Sequence, residues 1–166
     1  MDADDLRLLL DYHYWARDRV LEATAALTPE QFARELGGSF RSVRDTLGHL
    51  IGAEQVWLSR WTGSALRAMP PSDQFADFAA VRAAWAESEG KVRAFLAALG
   101  TDVGRVIAYS MFNGQSTSSP FWHMLQHVVN HGSYHRGQVT TLLRQLGAQP
   151  ISTDFVLYCG ELAKKA

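Results

Sequence analysis

Histidine recurs every fourth residue across one stretch of this chain. His123, His127, His131 and His135 account for four of its six histidines. On an α-helix, residues four apart stack one turn above another, about 6 Å along the axis, so their imidazoles can converge. Converged neutral imidazoles bind divalent metal ions. One small ion cannot take all four rings. His127 and His135 lie about 12 Å apart along the axis, whereas a ligating nitrogen sits only about 2.0–2.1 Å from the ion. The spacing therefore predicts one i, i+4 pair, completed by a ligand from another element. The candidates are His13 and His49, each on the core-side edge of its own helical segment. Three imidazoles and a water make an open site, the pattern of catalytic rather than structural zinc. Asp45, four residues before His49, is placed either to orient that ring or to cap its helix.

Gly132 and Gly137 stand among these histidines. Each costs about 1 kcal/mol relative to alanine inside a helix, so both positions predict a close approach to the helix, by a ligand or by a neighbouring helix. Competing chemistries lack their residues. The chain has no HExxH, no paired ExxH, no CxxC, no GxGxxG and no P-loop, which removes the zinc-protease, di-iron, zinc-ribbon and nucleotide-phosphate patterns. Ser133 lies within the histidine run without the strand-to-helix elbow of a serine nucleophile.

The elements that must position these residues read as four long amphipathic helices. The first spans about Asp4 to Ala26, with Leu6, Leu9, Leu10, His13, Ala16, Val20 and Leu21 at helical spacing. Thr28, Pro29 and Gln31 form a capping box that starts a short helical turn, ended by Gly37–Gly38. The second long helix covers residues 42–61 behind Ser42. Its stripe of Val43, Leu47, Leu50, Ile51 and Leu58 is interrupted by Glu54. Pro70–Pro71 marks a long connection, and a third helix runs from about Asp73 to Leu99. Residues 103–118 break the helical period. Val106, Ile107 and Tyr109, with Asn113–Gly114, predict a short β-hairpin. Ser119–Pro120 starts the fourth long helix, which stops at Gly147, and Asp154 to Lys164 forms a final short helix. The fold class is all-α, a single-domain four-helix bundle of residues 1–166 with a short β-hairpin before the last long helix.

A net charge of -1 with no basic stripe argues against nucleic acid as a partner. The acidic start, MDADDLRLLL, does not read as a secretory signal, and no apolar run approaches the roughly 20 residues of a membrane span. A lone cysteine, Cys159, excludes an internal disulfide and fits a reducing compartment, so a cytoplasmic location is expected.

Three segments resemble the DinB-like (damage-inducible) family of the DinB/YfiT-like superfamily. They are YHYWARDRVLE at 12–22, FRSVRDTLGHLIGAEQVWLSRW at 40–61, and HVVNHGSYHRGQVTTLLRQLGAQPISTDFVLY at 127–158, of which NHGSYHRGQ is the most specific. The resemblance implies a four-helix bundle with a crossover connection. It also implies one divalent ion, zinc or nickel, held by His49, His131 and His135. His127 then becomes a wall or supporting residue one turn before the pair. His13 becomes an optional pocket residue and His123 a solvent or subunit contact; from spacing alone, Trp57, two turns past His49, is a candidate pocket wall and Asp45 a candidate support for His49.

The resemblance further implies a metal-dependent enzyme that activates a low-molecular-weight thiol such as bacillithiol or mycothiol, or water. The partner is a small-molecule substrate, and a homodimer is expected. Glu54 and Tyr134 are the weak candidates for a catalytic group. Arg136 is read either as a surface or inter-helix ion pair or as an anion clamp near the metal, and Gln138 as a hydrogen-bonding brace of the bundle. The alternative function is a non-catalytic bundle that binds a metal or ligand without turnover.

Overall fold

The computed structural model describes residues 1–64 and 66–165. The four long helices are α1 (Ala3–Thr24), α3 (Val43–Thr62), α4 (Phe78–Leu99) and α5 (Phe121–Gln145). Two short helices, α2 (Pro29–Ala33) and α6 (Phe155–Ala163), and two strands, β1 (Val106–Ser110) and β2 (Ser116–Pro120), complete the described elements. Side chains that take orphan N–H groups start most of these helices. Asp2 accepts from the amides of Asp4 and Asp5, while Asp5 reaches back to the Asp2 amide. Thr28 and Gln31 close the second capping box. Ser42 accepts from the Asp45 amide.

Two starts differ from the sequence reading. Helix α4 begins at Phe78 rather than Asp73, because the carboxylate of Asp77 accepts from the Ala80 amide, and the connection from α3 extends that far. Ser119 does not cap α5. It is paired with Ile107 in the antiparallel ladder, and β2 runs directly into the helix. The hairpin stands where expected. Ser110 pairs with Ser116 around a loop containing Asn113 and Gly114, the latter at φ 84°.

Helix direction follows from what packs with what. Val43 and Leu47, early in α3, share a core cluster with Val81 and Trp85, early in α4, and with Val139 and Leu143, late in α5. At the other end, Leu6 and Leu10 of α1 meet Trp61 of α3, Leu96 and Leu99 of α4, and Phe121 and Leu125 of α5. Helices α3 and α4 are therefore parallel, as are α1 and α5, and the two pairs oppose each other. A parallel pair needs a chain return along its length. Residues 66–77 provide the described part of it by lying back along α3, where two glycines make room. A Cβ at Gly52 would meet Met69 and Pro70 at 3.4–3.6 Å, and one at Gly48 would stand 1.9 Å from the Ser72 carbonyl oxygen. The crossover thus passes within one helical turn of His49, and it packs on glycine.

Two substitutions separate this packing role from helix propensity. Gly48→Ala displaces the backbone of Ser72 and is expected to destabilise the chain by about 1–3 kcal/mol, despite a better helix former. Gly90→Ala, in α4 where an added Cβ meets nothing within 4 Å, is expected to stabilise it by about 0.5–1 kcal/mol. Urea unfolding of the two variants gives shifts of opposite sign. A stabilising Gly48→Ala would contradict the packing.

Candidate metal centre

His49 lies in the second turn of α3, and His131 and His135 lie one turn apart near the middle of α5. The Nε2 atoms of His49 and His131 are 3.2 Å apart, and those of His135 and His131 are 3.1 Å apart. Ligand atoms of all three rings lie within 4.8 Å of one another. Tetrahedral ligation with roughly 2.0–2.1 Å bonds places ligand nitrogens about 3.3–3.4 Å apart, so the donor set fits a zinc-sized ion. It also suits other divalent metals that accept imidazole.

The rings are presented in the form a cation needs. The Nδ1–H of His135 donates to Gln138 Oε1 at 2.8 Å, which leaves its Nε2 lone pair for the centre. Gln138 is held in turn by Ser39, to which its amide donates at 3.2 Å. Phe40 stacks on His49, ring centroids 4.2 Å apart and planes 26° apart, and meets His135 edge-on. Burial, reinforced by the neighbouring imidazoles, pushes His49 and His131 down to about 4. Burial lowers His135 as well, against the opposing bond to Gln138. All three rings are therefore neutral at pH 7 without a metal.

Around this centre the other expected residues separate. His127 is exposed one turn earlier, stacked on His131 at 5.7 Å and 4.9 Å from the ring of Trp57. Trp57 is half-buried and walls the space between His127 and Tyr109. His123 is exposed beside Trp122. Asp45 does not support His49. Its buried carboxylate accepts from Nε of Arg41 and Nε of Arg44, so the residue ties down the loop before α3. Tyr134 is 65% exposed, meets His135 edge-on and makes no side-chain hydrogen bond to the centre among the described residues.

Glu54 is no free base. Its carboxylate accepts from Ser88 Oγ (2.6 Å), Tyr14 Oη (3.2 Å) and Trp85 Nε1 (3.2 Å), and it meets His13 Nε2 at 3.3 Å. A carboxylate with this many donors is anchored in the core.

His13 bridges two buried charges. Its Nδ1 accepts from Arg136 Nη1 at 3.5 Å, which leaves Nε2–H to donate to Glu54. Arg136 is 1% exposed and has no carboxylate partner among the described residues, so it is neither of the two things its sequence position suggested. Its charge is balanced through the imidazole. Gly132 permits the arrangement, since a Cβ there would stand 2.6 Å from the His13 ring, whereas Gly137 has nothing within 4 Å. A void of about 10 Å³, the size of one water, lies between His13, Glu54 and His131.

Phe40 gave no sequence signal, because it sits in an irregular loop. Gln138 carries such a signal: it lies three residues after His135, on the same face of the helix.

The whole chain carries the signature of one family. The sequence model of the DinB family matches residues 1–162, and the chain belongs to that family. It is 28% identical to Protein DinB of Bacillus subtilis (strain 168) over 160 residues, covering 90% of this chain and 91% of that protein. It is 24% identical to the uncharacterized protein YizA of the same organism over 157 residues, covering 88% and 91%. The crystal structure of a DinB-like protein from Bacillus cereus superposes with a TM-score of 0.62 at 22% identity, covering 87% of this chain and 94% of that one, and shares its fold. Among the described residues no helix is long and apolar enough to cross a membrane.

The buried imidazoles predict a pH dependence of stability in chelator-treated protein. His13, His49, His131 and His135 all have pKa values lowered by burial. Below about 6.5 the unfolded chain binds protons that the folded chain refuses, so stability falls with pH towards the folded values. The urea midpoint is expected to drop between pH 7.5 and 5.5, above the window of the carboxylates. A flat profile there would contradict neutral burial of the rings.

Proposed function

We propose that the chain is a metal-dependent enzyme whose ion, zinc or nickel, is held by Nε2 of His49, His131 and His135 and activates a small thiol or water. The observation that carries this reading is the meeting of three neutral imidazole nitrogens from two helices, with His49 and His131 only half-buried. Three protein ligands leave a coordination position for substrate. A divalent ion bound there supplies a Lewis acid that holds a thiolate, or lowers the pKa of water, at neutral pH.

The protein's own part is positional. Gln138 fixes the tautomer of His135, and Phe40 covers one face of His49 against solvent. Trp57 and His127 supply an aromatic wall beside His131 on which a small-molecule substrate rests. Neither Glu54 nor Tyr134 is positioned to move a proton at the centre. Proton transfer on this reading falls to the substrate thiol and solvent, with deprotonation driven by coordination.

Elemental analysis of purified variants tests the ligand set. His131→Ala is expected to reduce metal content from about one ion per chain to near zero at equal purity. Gln138→Leu is expected to retain the ligands and lose about 10–100-fold in metal affinity, measured by chelator competition. Unchanged stoichiometry in His131→Ala would overturn the centre. Metal-dependent transfer of a small thiol to an electrophile such as an epoxide, abolished with the metal, tests the catalytic half. A metal-replete protein without turnover across a thiol and ester panel would leave a binding function in its place.

A further inference from the structure

A cavity of about 480 Å³ lies between the C-terminal half of α3 and the hairpin, lined in part by Arg60, Arg67, Tyr109, Ser110 and Phe112. Its walls contain two arginines and no carboxylate. Neither arginine forms an ion pair or donates a side-chain hydrogen bond among the described residues, although ten other arginine–carboxylate pairs occur there. The Arg60 guanidinium carbon is 4.6 Å from the Trp57 ring centroid, 5.2 Å from that of Tyr109 and 5.3 Å from that of Phe112. Three aromatic rings surround it, and its N–H groups have no acceptor among the described residues. A guanidinium held this way is prepared for a planar, bidentate anion.

We propose that this cavity is an anion subsite in which Arg60 and Arg67 hold a carboxylate or phosphate of an extended substrate. The anion-binding step stands on the cavity alone, and its service to the histidine centre rests on the function proposed above. The geometry connects the two. Trp57 touches both Arg60 and His127, and His127 stacks on His131. His49 and Arg60 are separated by about 16 Å of rise along α3, and the Arg60 side chain reaches back towards Trp57. The substrate is therefore elongated, with its acidic group roughly 10–15 Å from its reacting atom, and its body lies over Trp57 and His127. Glutathione has the required features, a thiol at one place and carboxylates at the ends of an extended peptide. 2-Mercaptoethanol has only the thiol.

The test is NMR titration of the full chain, as purified, observing the arginine Nε–Hε, tryptophan indole N–H and histidine ring signals. Inorganic phosphate and succinate are the anion probes, with chloride at matched ionic strength as control. Saturable shifts at Arg60 and Trp57 are expected from phosphate or succinate, and whichever binds more tightly identifies the anion class. Arg67→Gln, an exposed position whose loss does not threaten the fold, is expected to weaken binding at least 3-fold, and Arg60→Gln at least 10-fold with the helical circular dichroism retained. His131→Ala, which removes the proposed metal ligand, is expected to leave anion binding unchanged, so failure of the subsite and failure of the centre give different results. Glutathione is expected to shift Arg60 and His131 together, and 2-mercaptoethanol His131 alone. Binding that survives both arginine substitutions, or matches chloride, overturns the subsite. Glutathione shifts confined to one end overturn the two-ended substrate.

Discussion

Three nitrogen lone pairs crowded to within about one hydrogen-bond length form an arrangement that a protein must hold against its own electrostatics. With all three lone pairs turned inward, as metal ligation requires, Nε2 atoms at 3.1–3.2 Å repel, and burial disfavours relief by protonation. A cation reverses the sign of the interaction. Without one, the approach of α3 to α5 at this level has to be enforced from elsewhere. The apolar layers on either side enforce it: Leu47 and Leu50 with Val139 at one end, Trp61 with Phe121 at the other. The centre sits between two hydrophobic clusters, where neither helix can back away without opening a core.

The same constraint explains the buried charges beneath the histidines. Burying Glu54 and Arg136 as isolated ions would cost far more than the fold can supply. Instead, one imidazole accepts from the guanidinium and donates to the carboxylate, and three further donors from α1 and α4 complete the carboxylate shell. The network joins α1, α3, α4 and α5 at one height and so sets helix register. Register is what the centre needs, since a slip of one residue would turn His49 about 100° away from its partners. Gly132 belongs to this device: it admits the His13 ring, which lies between α1 and α5.

The helices were legible because periodicity is a local property. Leu6, Leu10, Ala16 and Val20, or Val43, Leu47 and Ile51, are spaced by the turn of one helix and need no partner to be recognised. The start of α4 was not legible because Asp73 and Asp77 are equivalent caps in sequence; in the fold it is the Asp77 carboxylate that accepts from the Ala80 amide. The parallel pairing of α3 and α4 was invisible for a similar reason. It depends on Ser72 finding a missing Cβ at Gly48, a contact between residues that no short-range pattern links. At the centre, spacing gave the i, i+4 geometry but left His13 and His49 as equal candidates for the third position. What distinguishes them is a tertiary fact, that His13 is already occupied by Arg136 and Glu54. Asp45 shows the opposite failure. Four-residue spacing placed it on the same face as His49, and two nearby arginines took its carboxylate first.

The hairpin places no fully buried side chain in the bundle core, against which Ile107 and Tyr109 pack. Its strands are mostly exposed, and Val106 is 63% exposed. Yet Tyr109 is turned onto Trp57, Phe112 lies against Arg60, and β2 feeds α5 without a break. A two-stranded ribbon is marginal on its own, so these contacts hold it at least as much as they hold the bundle. Its position follows: the ribbon is clamped to the end of α3 by an arginine laid among aromatic rings, and it roofs a cavity that begins where the Trp57–His127 wall ends. An element that adds little to the core, is joined directly to the helix carrying two of the three histidines, and encloses unpaired positive charge is built for something that lies between it and them.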